Sequence, residues 1–532
     1  MSRALRAAAV AALLLAATAC ASAPAYEVAE RSISELQADL SAGEVTSEQL
    51  VGAYLARIEQ IDNSGPTLSA VLAVNPDALA DARALDAERA AGQLRGPLHG
   101  VPILIKDNIE AAGPLPTTAG SLALADNVTG RDAFVVQRLR AAGAIIIGKT
   151  NLSEWANIRS SMSSSGWSAV SGLTRNPYAL DRNACGSSSG SGAAAAASLA
   201  AGAIGTETDG SIVCPSAING LVGVKPTLGL VSRFGVVPIS SAQDTPGPMA
   251  RTVRDAALIL TAIAGSDPRD AQTAEADAHR TDYAAGLSAD ALRGARIGVL
   301  RFQAGFHPGV DARFNAALET LRAAGAELVE IAEAPAGLDA ISNDEFAALL
   351  AELKTELNAY LADTPERVEA RTLADVIAFN QAEARELQWF GQDLFETAQA
   401  TQGAGAPEAA AARQRARAAA MAALDAMLAG QDLDALAAPT TGPAWTTDLV
   451  NGDHYVGGSA SMLPAVAGYP HVTTPMGRVS GLPVGLSLIG PAWSEARLLG
   501  YAYAFEQRAN ARTPPTYAAH IEDEAAPAPL ER

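Results

Sequence analysis

Two hydrophobic rhythms run through the chain. Short runs that are apolar at nearly every position recur at "HGVPILIKDNI" (99–109), "AAGAIIIGKTN" (141–151), "GARIGVL" (294–300), "AGAELVEI" (324–331), "DALAAPTT" (434–441), "YPHVTTPMG" (469–477) and "GLPVGLSLIG" (481–490). Runs of this length with little polar alternation predict strands buried on both faces. Between them the period lengthens. "SEQLVGAYLARI" brings Leu50, Tyr54, Leu55 and Ile58 onto one helical face, behind Thr46 or Ser47 as the N-cap. "DAFVVQRLRAAG" leads into the second strand, "DARFNAALETLRA" separates the third from the fourth, and "EARLLGYAYAFEQR" closes the chain. Residues 340–430 are helical in pattern, with Trp389, Phe390, Leu394 and Phe395 clustered. Helix followed by buried strand, repeated, predicts an α/β fold: a single large domain over 26–515 with a mostly parallel mixed β-sheet covered by helices on both faces.

One segment breaks this rhythm. "CGSSSGSGAAAAASLAAGAIGTETDGSIVCPSAINGLVGVKP" (185–226) runs from a Gly/Ser loop into an alanine-rich helix and then a second glycine-punctuated turn. Its serines and glycines flank a helix and are not spread as they would be in a linker.

Composition narrows the classes of function. With 532 residues, 49% of them hydrophobic and 18% charged, the chain buries a large core. Its formal net charge of −20 repels phosphate backbones and anionic lipid, which excludes nucleic acid as a partner. At the N-terminus Arg3 and Arg6 precede an apolar run from Ala7 to Ala17 and then small residues, the order of a secretory signal over 1–25. This predicts an exported protein, periplasmic or secreted. "ATAC" (17–20) offers Cys20 for lipidation, the one route to a membrane; cleavage after Ala23-Pro24-Ala25 is the alternative. Residues 516–532 are acidic and Pro/Ala-rich and read as a flexible tail. Cys185 and Cys214 are too few for a disulfide framework and lack metal-ligand spacing; they are either two small buried residues or a bridge.

The candidate chemistry sits in the irregular segment. In "GTETDGSIVCPS" (205–216), Ser211 follows Asp209 and Gly210 on a turn of small and polar residues. A serine hydroxyl is a weak nucleophile until a neighbour accepts its proton. Six histidines are present, at 99, 279, 307, 454, 471 and 520, and none stands in a recognisable serine-hydrolase context; His99 reads as a turn residue. The other candidate base is Lys106, which ends the apolar run "VPILI". A lysine there either pairs with Asp107 or Asp132, or loses its charge to desolvation and becomes a base near neutral pH. "CGSSSGSG" supplies hydroxyls that could carry the proton between amine and nucleophile.

Taken together, "HGVPILIKDNI", "GSSSGSGAA", "GTETDGSI" and "NGLVGVKP" resemble the amidase signature family of serine hydrolases, and the resemblance extends through "GLPVGLSLIG". It implies a Ser-cisSer-Lys triad with Lys106 as base, Ser187 as bridging serine and Ser211 as acyl-forming nucleophile, the two serines standing 24 positions apart. Only spacing selects Ser187 over Ser188 and Ser189. The resemblance also implies an oxyanion hole from the backbone N–H groups of Thr208, Asp209, Gly210 and Ser211, places Met162 and Ser163 on the substrate side, and requires no cofactor and no metal. Asp209 departs from the double glycine of many members, and Val213 stands where those members often carry arginine. "VSRFGVVPIS", "QDTPGPMARTV", "FGQDLFE" and "AGYPHVTTPMG" are most similar to the bacterial peptide amidases of the family, which implies a monomer acting on peptide C-terminal amides. A broad aliphatic or aryl amidase, and the amidase subunit of a tRNA-dependent amidotransferase, are the alternatives.

Overall fold

The seven apolar runs form the strands expected of them and six unexpected strands join them, giving β1 (Val71–Val74), β2 (Pro102–Lys106), β3 (Ile145–Thr150), β4 (Trp167–Ser168), β5 (Gly172–Leu173), β6 (Gly202–Glu207), β7 (Val222–Lys225), β8 (Thr245–Ala250), β9 (Arg296–Leu300), β10 (Glu327–Ile331), β11 (Ala435–Pro439), β12 (His471–Val479) and β13 (Leu482–Ile489), of which β1 and β4 to β8 were not expected. The computed structural model describes residues 26–521. The expected export signal with Cys20, and the end of the expected tail from 522, lie outside the described residues.

Eleven strands form one sheet in the order β1-β3-β2-β6-β8-β7-β12-β13-β11-β9-β10, and β4 and β5 pair separately. β2, β3, β6, β7, β8, β11 and β13 are buried at every residue. Because successive side chains on a strand point to opposite faces, full burial means that both faces are covered. The sheet is the expected mixed one, with a larger antiparallel share than the helix–strand rhythm suggests. β2 runs parallel to β3 and β6, and β9 to β10 and β11; the remaining pairings are antiparallel. Two connections account for this. The chain passes from β7 to β8 through a loop without a long helix, and β12 turns into β13 at Ser480 and Gly481, both at positive φ as a tight hairpin turn requires.

The surface helix near the N-terminus forms as its pattern requires. Thr46 caps Ser47–Arg57 and exchanges hydrogen bonds with Gln49 in a capping box, while Leu50, Val51 and Tyr54 face the core. The alanine-rich segment becomes the helix Ser189–Ala196, whose eight residues are all buried. Its small side chains allow close approach: a Cβ on Gly190 would lie 2.3 Å from the Ala70 carbonyl oxygen and 2.5 Å from that of Asn151. The start of the expected tail is docked, which moves its boundary. Leu180 donates to the Ala518 carbonyl (2.9 Å), Tyr517 donates to Pro177 (2.9 Å), and Ile521 packs against the cluster of Cys185, Trp445 and Leu482.

The β2–β3 pair also carries a dry ion pair. Lys149 Nζ lies 2.9 Å from Asp107 Oδ1 with both side chains fully buried, and Thr117 and Thr118 complete the hydrogen bonding. Removing one partner strands the other charge in the interior, a loss of about 3–5 kcal/mol. Lys149→Met is therefore expected to lower the unfolding free energy by an amount of that order, read from the shifted midpoint of chemical denaturation. The double variant with Asp107→Asn should regain much of it.

Candidate active site

Lys106 is the last residue of β2, and its side chain is wholly buried at the carboxyl ends of β2 and β6, the edge where α/β sheets place their ligands. Asp107 belongs to Lys149, and Asp132 lies 3.2 Å from Arg140, so neither forms the ion pair with Lys106 that the sequence left open. The amine contacts Ser187 Oγ at 2.8 Å, Thr206 Oγ1 at 2.9 Å and the Thr206 carbonyl at 3.3 Å. A neutral amine has two N–H donors and one lone pair. The carbonyl can only accept, and Thr206 Oγ1 accepts from both the amine and Asn108 Nδ2 (2.9 Å). The lone pair is then aimed at Ser187, whose O–H can donate to it. Burial pulls the amine down to about 7, against the opposing pull of Asp244 and Glu207.

Ser187 follows a cis Gly186–Ser187 peptide bond. The structure separates it from its neighbours by what each hydroxyl does. Ser188 Oγ donates to the Thr206 carbonyl (3.0 Å) and accepts from its N–H (3.2 Å), Ser189 donates to the Cys185 carbonyl, and Ser191 donates to Ile204 (3.0 Å). Only Ser187 reaches the lysine among these four.

The nucleophile turn is held from beneath. Glu207, fully buried at the end of β6, accepts from the N–H groups of Ile212 (2.7 Å) and Val213 (3.0 Å) at the start of the helix Val213–Ile218. The Ile212, Val213 and Gly210 amides all help to hold the Glu207 carboxyl down against the burial that raises it. Gly210 sits at φ +80°, a conformation that favours glycine. Among the described residues, the N–H groups of Thr208, Asp209 and Ser211 make no backbone hydrogen bond, and the Ser211 hydroxyl makes none at all. Ser188 N–H donates to the Ser211 carbonyl (3.2 Å), which joins the two serine-bearing segments. Cys185 and Cys214 join them covalently as a disulfide with Cα atoms 6.1 Å apart, which settles the open question about these cysteines. Ser187 and Ser211 do not hydrogen-bond to each other here; such contacts are often loose before substrate binds.

Residues that sequence reasoning missed hold this turn from the side. Gln243 Nε2 donates to the Thr208 carbonyl (3.2 Å) and to Glu345 (2.8 Å), and Thr208 Oγ1 donates to Asp244 (2.6 Å). Arg413 pairs with Glu352 (2.6 Å) and also reaches Gln243. Thr206, Glu207, Gln243 and Asp244 lie in motifs already singled out; Thr206 and Glu207 end a wholly buried strand, and Gln243 and Asp244 stand just before another. Met162 is exposed and Ser163 donates to Ser160 (2.9 Å), in a loop whose Ser165 packs on Gly186 and is held by Asp453. Neither Met162 nor Ser163 forms a hydrogen bond to Lys106, Ser187 or Ser211 among the described residues.

None of the six histidines approaches the lysine and serines. His99 bonds to Leu85, His279 stacks on Trp493, His307 caps a helix, His471 bonds to Ser487, and His454 and His520 face Asp448 and Asp181. Burial also pushes His471 down to about 3, which leaves it neutral. Among the described residues no group of three or more His, Cys, Asp or Glu side chains could hold a metal ion.

Comparisons with known proteins agree with this geometry. Residues 49–499 match the family model described as Amidase. A probable amidase of Arabidopsis thaliana is 39% identical over 505 residues, 93% of each chain. A glutamyl-tRNA(Gln) amidotransferase subunit of Roseiflexus castenholzii is 37% identical over 512 residues, covering 91% of this chain and 96% of the relative. The crystal structure of the peptide amidase from Stenotrophomonas maltophilia superposes with a TM-score of 0.87 at 51% identity, over 92% of this chain and 99% of that one. A chain matched along nearly its whole length by amidases, with a buried lysine and two serine loops at one edge of its sheet, belongs to the amidase signature family of hydrolases.

Proposed function

We propose that the protein is an exported amidase that hydrolyses carboxamides, foremost the C-terminal amides of peptides, to the free acid and ammonia. The observation that carries this reading is the 2.8 Å contact between a wholly buried Lys106 amine and Ser187 Oγ. In the proposed reaction Ser211 Oγ attacks the amide carbonyl while its proton passes to Ser187, and the proton of Ser187 passes to neutral Lys106. The oxyanion is met by the N–H groups of Thr208, Asp209, Gly210 and Ser211. The C–N bond then breaks, the nitrogen takes a proton back along the same relay, and ammonia leaves an ester on Ser211. Water adds to that ester, its proton travels the same route, and the acid is released. No cofactor takes part.

The peptide substrate is supported by the 51% identity to a peptide amidase across the chain, against 37% for the amidotransferase relative. Export is supported by the order of residues 1–25 and by the disulfide, a bond that persists in oxidising compartments. We take the protein to act as a monomer, bound to a membrane only if Cys20 is lipidated. Ammonia release from a peptide amide by the purified chain, with neither ATP nor tRNA, tests the reading; a requirement for partner subunits would turn it toward the amidotransferase.

Ser211→Ala is expected to lower kcat by several orders of magnitude with the fold intact. A fluorophosphonate should label Ser211 in the intact enzyme, as read by peptide mass spectrometry; a label on Ser187 or Ser188 alone would reassign the nucleophile.

The base makes a separate forecast. Because the reaction needs Lys106 without its proton, kcat/KM should fall as pH drops through about 7 and level off above it. Lys106→Ala should lose most activity. Lys106→Arg should not restore it, since guanidinium keeps its proton at every working pH. An arginine variant with full activity would show the lysine to be structural.

A further inference from the structure

Asp209 is the one side chain between Glu207 and Val213 that is exposed to solvent, and it lies within a cleft whose walls still strip much of its water away. It stands two positions before Ser211, and its own N–H is one of those proposed to meet the oxyanion. Among the described residues it forms no ion pair. The charges around it carry the same sign or are shared with other carboxylates. Gln243 brings Glu345 to within one bridging amide of the Thr208 carbonyl, and Asp244 is held on the Thr208 hydroxyl. The cations that could offset them are engaged or neutral. Arg413 is bound through two nitrogens to Glu352, Lys225 is shared among Glu207, Glu495 and Asp209, and Lys106 is the amine read above as uncharged. On the remaining side are only hydroxyls: Ser461, whose Oγ lies 3.1 Å from where a Cβ on Gly210 would stand, and Tyr455, bonded to Thr441 (3.1 Å).

The reaction read for this site changes the charge of what occupies it. A carboxamide enters neutral and leaves as a carboxylate, in the same place and beside the same turn. Like charges near each other, in surroundings less polar than water, repel more strongly than they would in bulk solvent. We propose that Asp209 is the specificity-determining residue that lets the site accept a neutral carboxamide and reject the carboxylate made from it, so that peptides already ending in a free acid do not occupy the site. This inference rests on the reading of Ser211 as the nucleophile that attacks a carboxamide. Desolvation in the cleft and the nearby Glu207 raise the Asp209 carboxyl to about 6, with Ser461 pulling the other way, so that it is charged at neutral pH; Glu345, raised to about 8 by burial, is then mostly protonated. Of the carboxyls around the turn, Asp209 is the one exposed to solvent. An acidic floor of this kind also clears product: the free acid is expelled by the side chain whose backbone helped to form it.

The test is equilibrium binding on the Ser211→Ala background, where no turnover confuses the measurement. The probes are N-acetyl-alanyl-phenylalanine amide and the corresponding free acid, titrated at pH 7 by calorimetry. The acid is expected to bind at least about ten-fold more weakly than the amide, which is about 1.4 kcal/mol. Adding Asp209→Asn, which keeps the size of the side chain and the backbone N–H, should close that gap to within about three-fold, chiefly by strengthening binding of the acid. Glu345→Gln should leave the gap in place. Three results would overturn the proposal: a gap unchanged by Asp209→Asn, a gap closed by Glu345→Gln instead, or loss of amide binding along with acid binding in the Asp209 variant. If neither ligand binds the Ser211→Ala protein at all, the reading of the cleft as the carboxamide site fails first, and the proposal fails with it.

Discussion

The protein keeps one lysine amine dry. Lys106 reaches the end of β2 with no carboxylate in contact, and the rest of the site follows from what that requires. An ammonium in such a place would need a counter-charge; the adjacent Asp107 is turned toward Lys149 on the neighbouring strand. Thr206 and Ser187 give the amine polar contacts that a neutral group can satisfy, so desolvation is met by giving up the proton and not by pairing. The same interior that would make a poor home for a charge makes a working base at ordinary pH.

A base buried this deeply cannot follow a mobile nucleophile, so the nucleophile has to be brought to it and fixed. Three kinds of bond do this. The Glu207 carboxylate ties the turn to the first amides of the helix that follows, the Cys185–Cys214 disulfide ties that helix to the Gly/Ser loop, and Ser188 links the two segments through the Ser211 carbonyl. Gln243 and Asp244 add a lateral brace that runs out to Glu345 and Arg413 on two long helices. These supports leave the Thr208, Asp209 and Ser211 amides without backbone acceptors, where donors prearranged for an oxyanion should be.

Much of this was legible in the sequence, and the reason is local. A buried strand ending in lysine, a Gly/Ser loop before an alanine helix, and a serine on a glycine turn are each short-range patterns, and the motif resemblance assigned them in order. What escaped was long-range. Nothing local says that Gln243 would meet Thr208, that Asp453 would hold Ser165, or that Cys185 and Cys214 would come within bonding reach across 29 positions. The antiparallel share of the sheet was underestimated for a similar reason: the pattern marks strands but not which of them a loop returns beside.

The central claim is that Lys106 is neutral in the resting protein, and the chain is suited to a direct test because it has only four lysines, at 106, 149, 225 and 354. Selective ¹⁵N labelling of lysine should give four Nζ signals, assigned by single substitutions and followed by NMR across pH. The account predicts that the Lys106 signal titrates near pH 7. A Lys106 amine that stays protonated to pH 10 would contradict it and would remove the base from the proposed mechanism.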